Sequence, residues 1–198
     1  MKRKIKSRRK QTPWNKGRKV GRKLPLRPQQ VRSIRNRLKS AQEMRNLALF
    51  NLAIDSSLGA TDIVQLRVRD IARAGRVLSL GTTTRVSTQR PIQFEITGEA
   101  RRSAAAWIAH KKLKPGEHLF PTRLHGPTHV SIRQYAKLAA AWVRSIGLNP
   151  RAYGTESLRR TKPALIYQQT RSLLAAQLHL GHTRQNITAR FLGIEFWR

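Results

Sequence analysis

The sequence predicts a mainly α fold with a small antiparallel β-sheet, an α+β domain, preceded by a disordered basic arm. Three observations predict it. Apolar residues recur at helical spacing over most of the chain. One stretch, between Arg76 and Ile96, switches to a period of two. The first 24 residues hold basic side chains with no acid among them.

The arm comes first. Lys2, Arg3, Lys4, Lys6, Arg8, Arg9, Lys10, Lys16, Arg18, Lys19, Arg22 and Lys23 crowd a segment with too few apolar residues to build a core. Such a segment stays disordered by itself, and a block of like charge this long suits a polyanionic partner. Trp14 has two readings, stacking on a base or packing on the domain. Pro25 and Pro28 mark the boundary, so residues 1–27 form the arm and 28–198 the domain.

Helices follow. From Gln29 to Lys39, Val31, Ile34 and Leu38 share one face and the outer face is basic. From Glu43 to Ser56, Leu47, Phe50, Leu52 and Ile54 mark a second helix, and Ile63, Leu66 and Val68 lead to Asp70-Ile71. The alternating stretch is expected to form one small sheet. Val77, Leu78 and Leu80 enter it, a turn lies at Ser87 to Gln89, and Ile92, Phe94 and Ile96 return. Pro91 stands at a strand start, where the missing N–H is tolerated. Further helices are expected over Gly98–His110, Ser131–Ile146, Ser157–Gln169, Ser172–Leu180 and Arg184–Phe191, with Gly147 and Pro150 as breaks. Pro163 interrupts the 157–169 pattern, at a cost of about 3 kcal/mol for a mid-helix proline.

Composition narrows the function. Of 198 residues, 41 are Lys or Arg against 9 acidic ones, a net charge of +32. That charge repels itself unless a polyanion is near, and a phosphate backbone is the densest candidate. The longest mostly apolar run, Asn46 to Ile54, is too short to span a bilayer, so no membrane partner is expected. Cysteine is absent, which excludes disulfides, thiolate metal sites and cysteine nucleophiles. His110, His118, His125, His129 and His179 lack metal-ligand spacing with acidic partners and read as surface or packing residues. Trp107 and Trp142 fall on apolar helix faces, and Asp62 and Asp70 read as caps or arginine partners.

The C-terminal third carries a pattern: Tyr153-Gly-Thr-Glu156-Ser-Leu-Arg159-Arg160-Thr, then Leu180-Gly181-His182-Thr183, then Ala189-Arg190-Phe191-Leu192-Gly193-Ile194. In order and spacing it resembles the active-site half of the tyrosine recombinases, the phage integrase family, and the resemblance extends over about residues 28–195. It implies the catalytic-domain fold of that family, duplex DNA as partner, other recombinase protomers as a further one, and a cytoplasmic, nucleoid-associated setting in a prokaryote. It implies no cofactor and no metal. In the family a Tyr forms a 3′-phosphotyrosyl bond, Arg and His side chains hold the phosphate, and a hairpin Lys protonates the leaving oxygen. Arg159 matches the second Arg and His182 the second His. Gly59 stands where the first Arg is expected, Ser87 at the hairpin Lys, Glu156 at the first His and Phe191 at the nucleophile. A phenyl ring has no oxygen to attack phosphorus, so no adduct is expected at 191. Glu156 is expected to repel a phosphate unless Arg159 or Arg160 pairs with it.

Three readings compete. In the first the chain is a family member related to site-specific recombination and integration that binds DNA without cutting it. Lys2, Arg3, Lys4, Arg8, Arg9, Lys10, Arg18, Lys19 and Arg160 then serve as DNA-binding residues, with Arg159 and His182 as the retained active-site positions. In the second it is an active recombinase whose nucleophile is displaced to Tyr135, Tyr153 or Tyr167. In the third it is a decayed remnant that binds any polyanion. The ending Glu195-Phe196-Trp197-Arg198, just past the last helix, leads to the expectation of a C-terminally short domain.

Overall fold

A computed structural model describes residues 22–122 and 128–194. Its helices are α1 (Pro28–Ser40), α2 (Met44–Ser56), α3 (Ala60–Gln65), α4 (Val68–Ile71), α5 (Gly98–Lys111), α6 (Ile132–Ser145), α7 (Thr155–Thr170), α8 (Leu173–Leu180) and α9 (Gln185–Leu192). The strands are β1 (Ala72–Arg73), β2 (Arg76–Val77), β3 (Leu80–Thr84) and β4 (Pro91–Glu95). The mainly α fold with minor antiparallel structure is therefore as the sequence predicts.

The organising element is α2. Every residue from Ala48 to Ser56 is buried, and the helix packs on α1, α5 and α7 at once. A helix buried on every side over this stretch needs neighbours all round it. Phe50 meets Trp142 of α6 edge-on at 5.5 Å between ring centres, and Trp107 of α5 donates from Nε1 to the Leu119 carbonyl at 2.7 Å. Both tryptophans thus belong to the core, as their spacing predicts. The buried Asp55 of α2 accepts from the Thr97 amide at 2.8 Å and hydroxyl at 2.6 Å, which satisfies its carboxylate and starts α5. Asp70 caps α4 by accepting from the Arg67 amide at 2.8 Å.

Two details differ from expectation. The single small sheet is two separate two-stranded ribbons, β1–β2 and β3–β4. The chain turns early at Ala74 and Gly75, both at positive φ (48° and 75°), so Arg73 pairs with Arg76 before the longer ribbon begins. Leu80 accordingly faces Glu95 across β3–β4 rather than continuing from Val77. Second, α7 runs unbroken through Pro163. Its contacts with α2, α8 and α9 offset the lost backbone bond, and Pro163 is itself buried.

Residues 22–27, read with the arm, lie along the domain. The Leu24 amide donates to the Ala152 carbonyl at 3.1 Å and the Leu26 amide to the Thr161 hydroxyl at 3.0 Å, with the Leu26 side chain in the core. The apolar Leu26 supplies what the preceding basic run lacks. Lys2, Arg3, Lys4, Arg8, Arg9, Lys10, Arg18 and Lys19 fall outside the described residues.

Candidate nucleic-acid interface

The site is built on α7. Glu156, Arg159 and Arg160 stand in its first two turns, and the neighbouring segments converge on them. The α2–α3 loop brings Ser57 and Gly59, the β3–β4 hairpin brings Arg85, the α8–α9 turn brings His182, and α9 brings Phe191.

Arg159 is anchored from behind. Its Nε donates to the Ser57 carbonyl at 3.1 Å. Ser57 ends α2 in the left-handed region (φ 49°), and its hydroxyl lies 3.0 Å from Nε2 of His179 on α8. Glu156 pairs loosely with Arg159, Oε1 to Nη1 at 3.9 Å. Burial pushes the Arg159 guanidinium down from its ordinary value, Glu156 opposes the shift and Arg85 adds to it.

The α8–α9 turn is fixed by Gly181, at φ 61°. A side chain there would be strained by the backbone and would also crowd Ile92 at 3.2 Å and Arg85 Nη2 at 3.4 Å, so glycine suits the turn. His182 follows. Its amide donates to the Gln177 carbonyl at 3.2 Å, its carbonyl accepts from Gln177 Nε2 at 3.0 Å, and its Nδ1 lies 3.1 Å from the Thr188 hydroxyl. Burial first, then Arg159 and Arg85, push its pKa down to about 4. The imidazole is therefore neutral near pH 7, and an anion placed among these groups would raise its pKa again.

Phe191 lies at the centre. The Arg159 guanidinium is 5.2 Å and that of Arg160 4.7 Å from its ring centre, and His182 meets the ring edge-on at 5.5 Å. Both distances suit cation–π attraction. Arg160 also donates from Nη1 to the Lys23 carbonyl at 3.1 Å, while its buried Nε has no partner among the described residues.

The structure thus brings together Glu156, Arg159, Arg160, His182 and Phe191. Gly59 faces the same place: a Cβ there would sit 3.9 Å from Arg159 Nη1 and 3.2 Å from Asp62 Oδ2. Ser87 is exposed in the hairpin turn. The hairpin residue that reaches the site is Arg85, whose Nη2 donates to the Leu180 carbonyl at 3.1 Å. Asp62 holds this hairpin by accepting from the Val86 amide at 2.9 Å. Sequence reasoning missed Arg85, because register across a turn is not encoded by spacing. It also read His179 as surface or packing, without its bond to Ser57. Tyr135 is 2 % exposed in the core, and burial pushes its hydroxyl well above its ordinary value. Tyr153 packs against the core, and Tyr167 is half-buried on α7.

The sequence that builds this arrangement matches a family model. Residues 25–196 fit the phage integrase family. The chain belongs to the phage integrase family. A "Probable integrase/recombinase YoeC" of Bacillus subtilis (strain 168) is 27% identical over 151 residues, covering 76% of this chain and 78% of that protein. Among solved structures this integrase-family chain is similar to the XerA recombinase, with a TM-score of 0.71 at 12% identity over 88% of its length. It is also similar to XerH site-specific recombinase bound to difH substrate (0.69, 16% identity, 86% covered) and to the Tn1549 transposon integrase in complex with a circular intermediate DNA (0.68, 14% identity, 87% covered). It spans 60%, 51% and 62% of those three chains. The fold is that of the tyrosine recombinase catalytic domain. Among the described residues no helix is long and apolar enough to cross a membrane.

Proposed function

We propose that this chain binds duplex DNA as a member of the tyrosine recombinase family, in the context of site-specific recombination and integration, and does not cleave it. The observation that carries this reading is the position of Phe191. Its ring lies against Arg159, Arg160 and His182, where the family resemblance puts the attacking hydroxyl. Arg85, Arg159, Arg160 and the His182 imidazole form the phosphate-facing cluster; Glu156 opposes its charge at Arg159 and Arg160, and Asp62 at Arg159. The arm residues Lys2, Arg3, Lys4, Arg8, Arg9, Lys10, Arg18 and Lys19 add phosphate contacts and salt dependence. Two similar structures hold difH substrate and a circular intermediate DNA, which supports the same partner. Further recombinase protomers are the second partner in this reading, and a prokaryotic nucleoid is its setting.

In this reading neither Tyr135 nor Tyr153 takes over as nucleophile. The burial of Tyr135 and the core contacts of Tyr153 favour binding without an adduct. The test is duplex binding at several salt concentrations, with candidate element ends and random duplex in parallel, followed by a denaturing gel on nicked suicide substrates. Preference for ends by about 10³ with no covalent band is expected. A covalent band overturns the non-cleaving reading, and equal affinity for all duplexes with a steep salt slope leaves only polyanion attraction.

A further inference from the structure

A groove of about 840 Å³ lies between α5 and the β1–β2 ribbon, with α4 also lining it. Its floor is apolar. Ala72, Val77 and Ile108 are half-buried, packed on the core on one side and lining the groove on the other. Ala105 and Ala109 stand exposed one turn apart on α5, and their short side chains keep the groove open. Its rim is basic. Arg69 and Arg73 are exposed among the lining residues, and Arg76 faces Arg73 directly across the ribbon. Like charges placed opposite one another destabilise a strand pair. No ion pair joins any of these three arginines to an acid among the described residues. Asp70 and Glu117, the acids of the adjoining segments, are engaged by backbone: Asp70 accepts from the Arg67 amide and Glu117 from the Lys114 amide.

We infer that this groove docks an acidic amphipathic helix of a partner protein. The apolar floor takes the helix's apolar face, and Arg69, Arg73 and Arg76 pair with carboxylates along its edge. Both halves of the site then gain: half-exposed apolar side chains leave water, and the opposed arginines acquire counter-charges. A nucleic acid suits the groove less well. Its phosphates answer the cations but leave the floor with nothing apolar to cover it. The groove also shares no residue with the cluster of Arg85, Arg159, Arg160 and His182, which stands on the β3–β4 hairpin, α7 and the α8–α9 turn. Helix and DNA are therefore separate ligands on separate elements. The inference goes beyond the DNA-binding reading proposed above and does not depend on it.

The experiment measures binding of a labelled synthetic helix to the full chain by fluorescence anisotropy. The probe carries Leu along one face and Glu on the rest. A scrambled peptide of the same composition is the control, because a net charge of +32 attracts any acidic peptide. The amphipathic probe is expected to bind about tenfold tighter than its scrambled twin. Ala105→Gln with Ala109→Gln crowds the groove without changing charge and is expected to abolish that preference. Arg69→Gln with Arg73→Gln is expected to reduce it about threefold. All four side chains are exposed, so both variants are expected to keep the native fold. Equal binding of the two peptides overturns the inference, as does a preference that survives either pair of substitutions unchanged. Duplex affinity separates the occupants. Its retention in Ala105→Gln with Ala109→Gln supports a protein helix, and a loss matching that of the probe assigns the groove to nucleic acid instead. Self-association of the native chain in sedimentation that this variant abolishes makes the groove an interface between copies and likewise overturns the inference. A native chain that binds no duplex refutes the DNA reading, while the peptide preference still decides this one.

Discussion

The hydroxyl of Ser57 lies 3.0 Å from Nε2 of His179, and the carbonyl of the same serine accepts from Arg159 at 3.1 Å. One residue in a left-handed turn therefore ties α2 to α8 and aims the arginine of α7. Burial, with Lys162 adding to it, pushes the pKa of His179 down to about 4 from 6.5, so it is neutral in the folded chain at pH 7.

This gives a pH dependence. A histidine with a depressed folded pKa binds its proton better when unfolded. Stability is thus level above pH 6.5 and falls as the pH drops from 6.5 to about 4, with His179 and His182 acting in the same direction. Thermal unfolding in that window should show the fall, and His179→Asn should flatten it while lowering the midpoint at pH 7. A slope unchanged by His179→Asn would remove this residue from the explanation.

Phe191→Tyr alone should yield no efficient phosphotyrosyl adduct. Gly59, Ser87 and Glu156 still lack the side chains that the resemblance implies, and each missing phosphate ligand costs about 10²–10³ in rate. A covalent band from the single variant on a suicide substrate would refute this.

Glu156→Gln should strengthen duplex binding by a few-fold, about 0.5–1 kcal/mol for a half-exposed pair. The carboxylate, 3.9 Å from Arg159 Nη1, both occupies that cation and repels phosphate. Titration at low and high salt checks it. The gain should shrink as salt rises, since screening weakens the repulsion that is removed.

Gly81→Ala should destabilise the hairpin that carries Arg85. An added Cβ would lie 2.5 Å from the Phe94 ring, which is 4 % exposed and has little room to move. Overpacking of this kind costs about 1–3 kcal/mol. Denaturant unfolding should report the loss, and DNA affinity measured well below the midpoint should fall with it as Arg85 shifts.

The sequence by itself determined much of this protein. Apolar spacing marks α1, α2 and α5 to α9 within a residue or two, because a face hidden from water repeats every three or four positions, whereas the short α3 and α4 are too brief to show that period and the sequence marks them only as a stretch leading to Asp70-Ile71. The motif around Arg159, Gly181-His182 and Phe191 was legible for a related reason: a short helix, a left-handed glycine turn and a second helix hold it together locally. What only the tertiary structure decided joins distant parts of the chain. Arg160 meets Lys23 across 137 positions, Ser57 meets His179 across 122, and Arg85 meets Leu180 across 95. A periodic pattern reports which face is buried, not which distant carbonyl a guanidinium will reach. That choice is made when α7 and α8 pack around α2 and the leftover polar groups must find partners out of water.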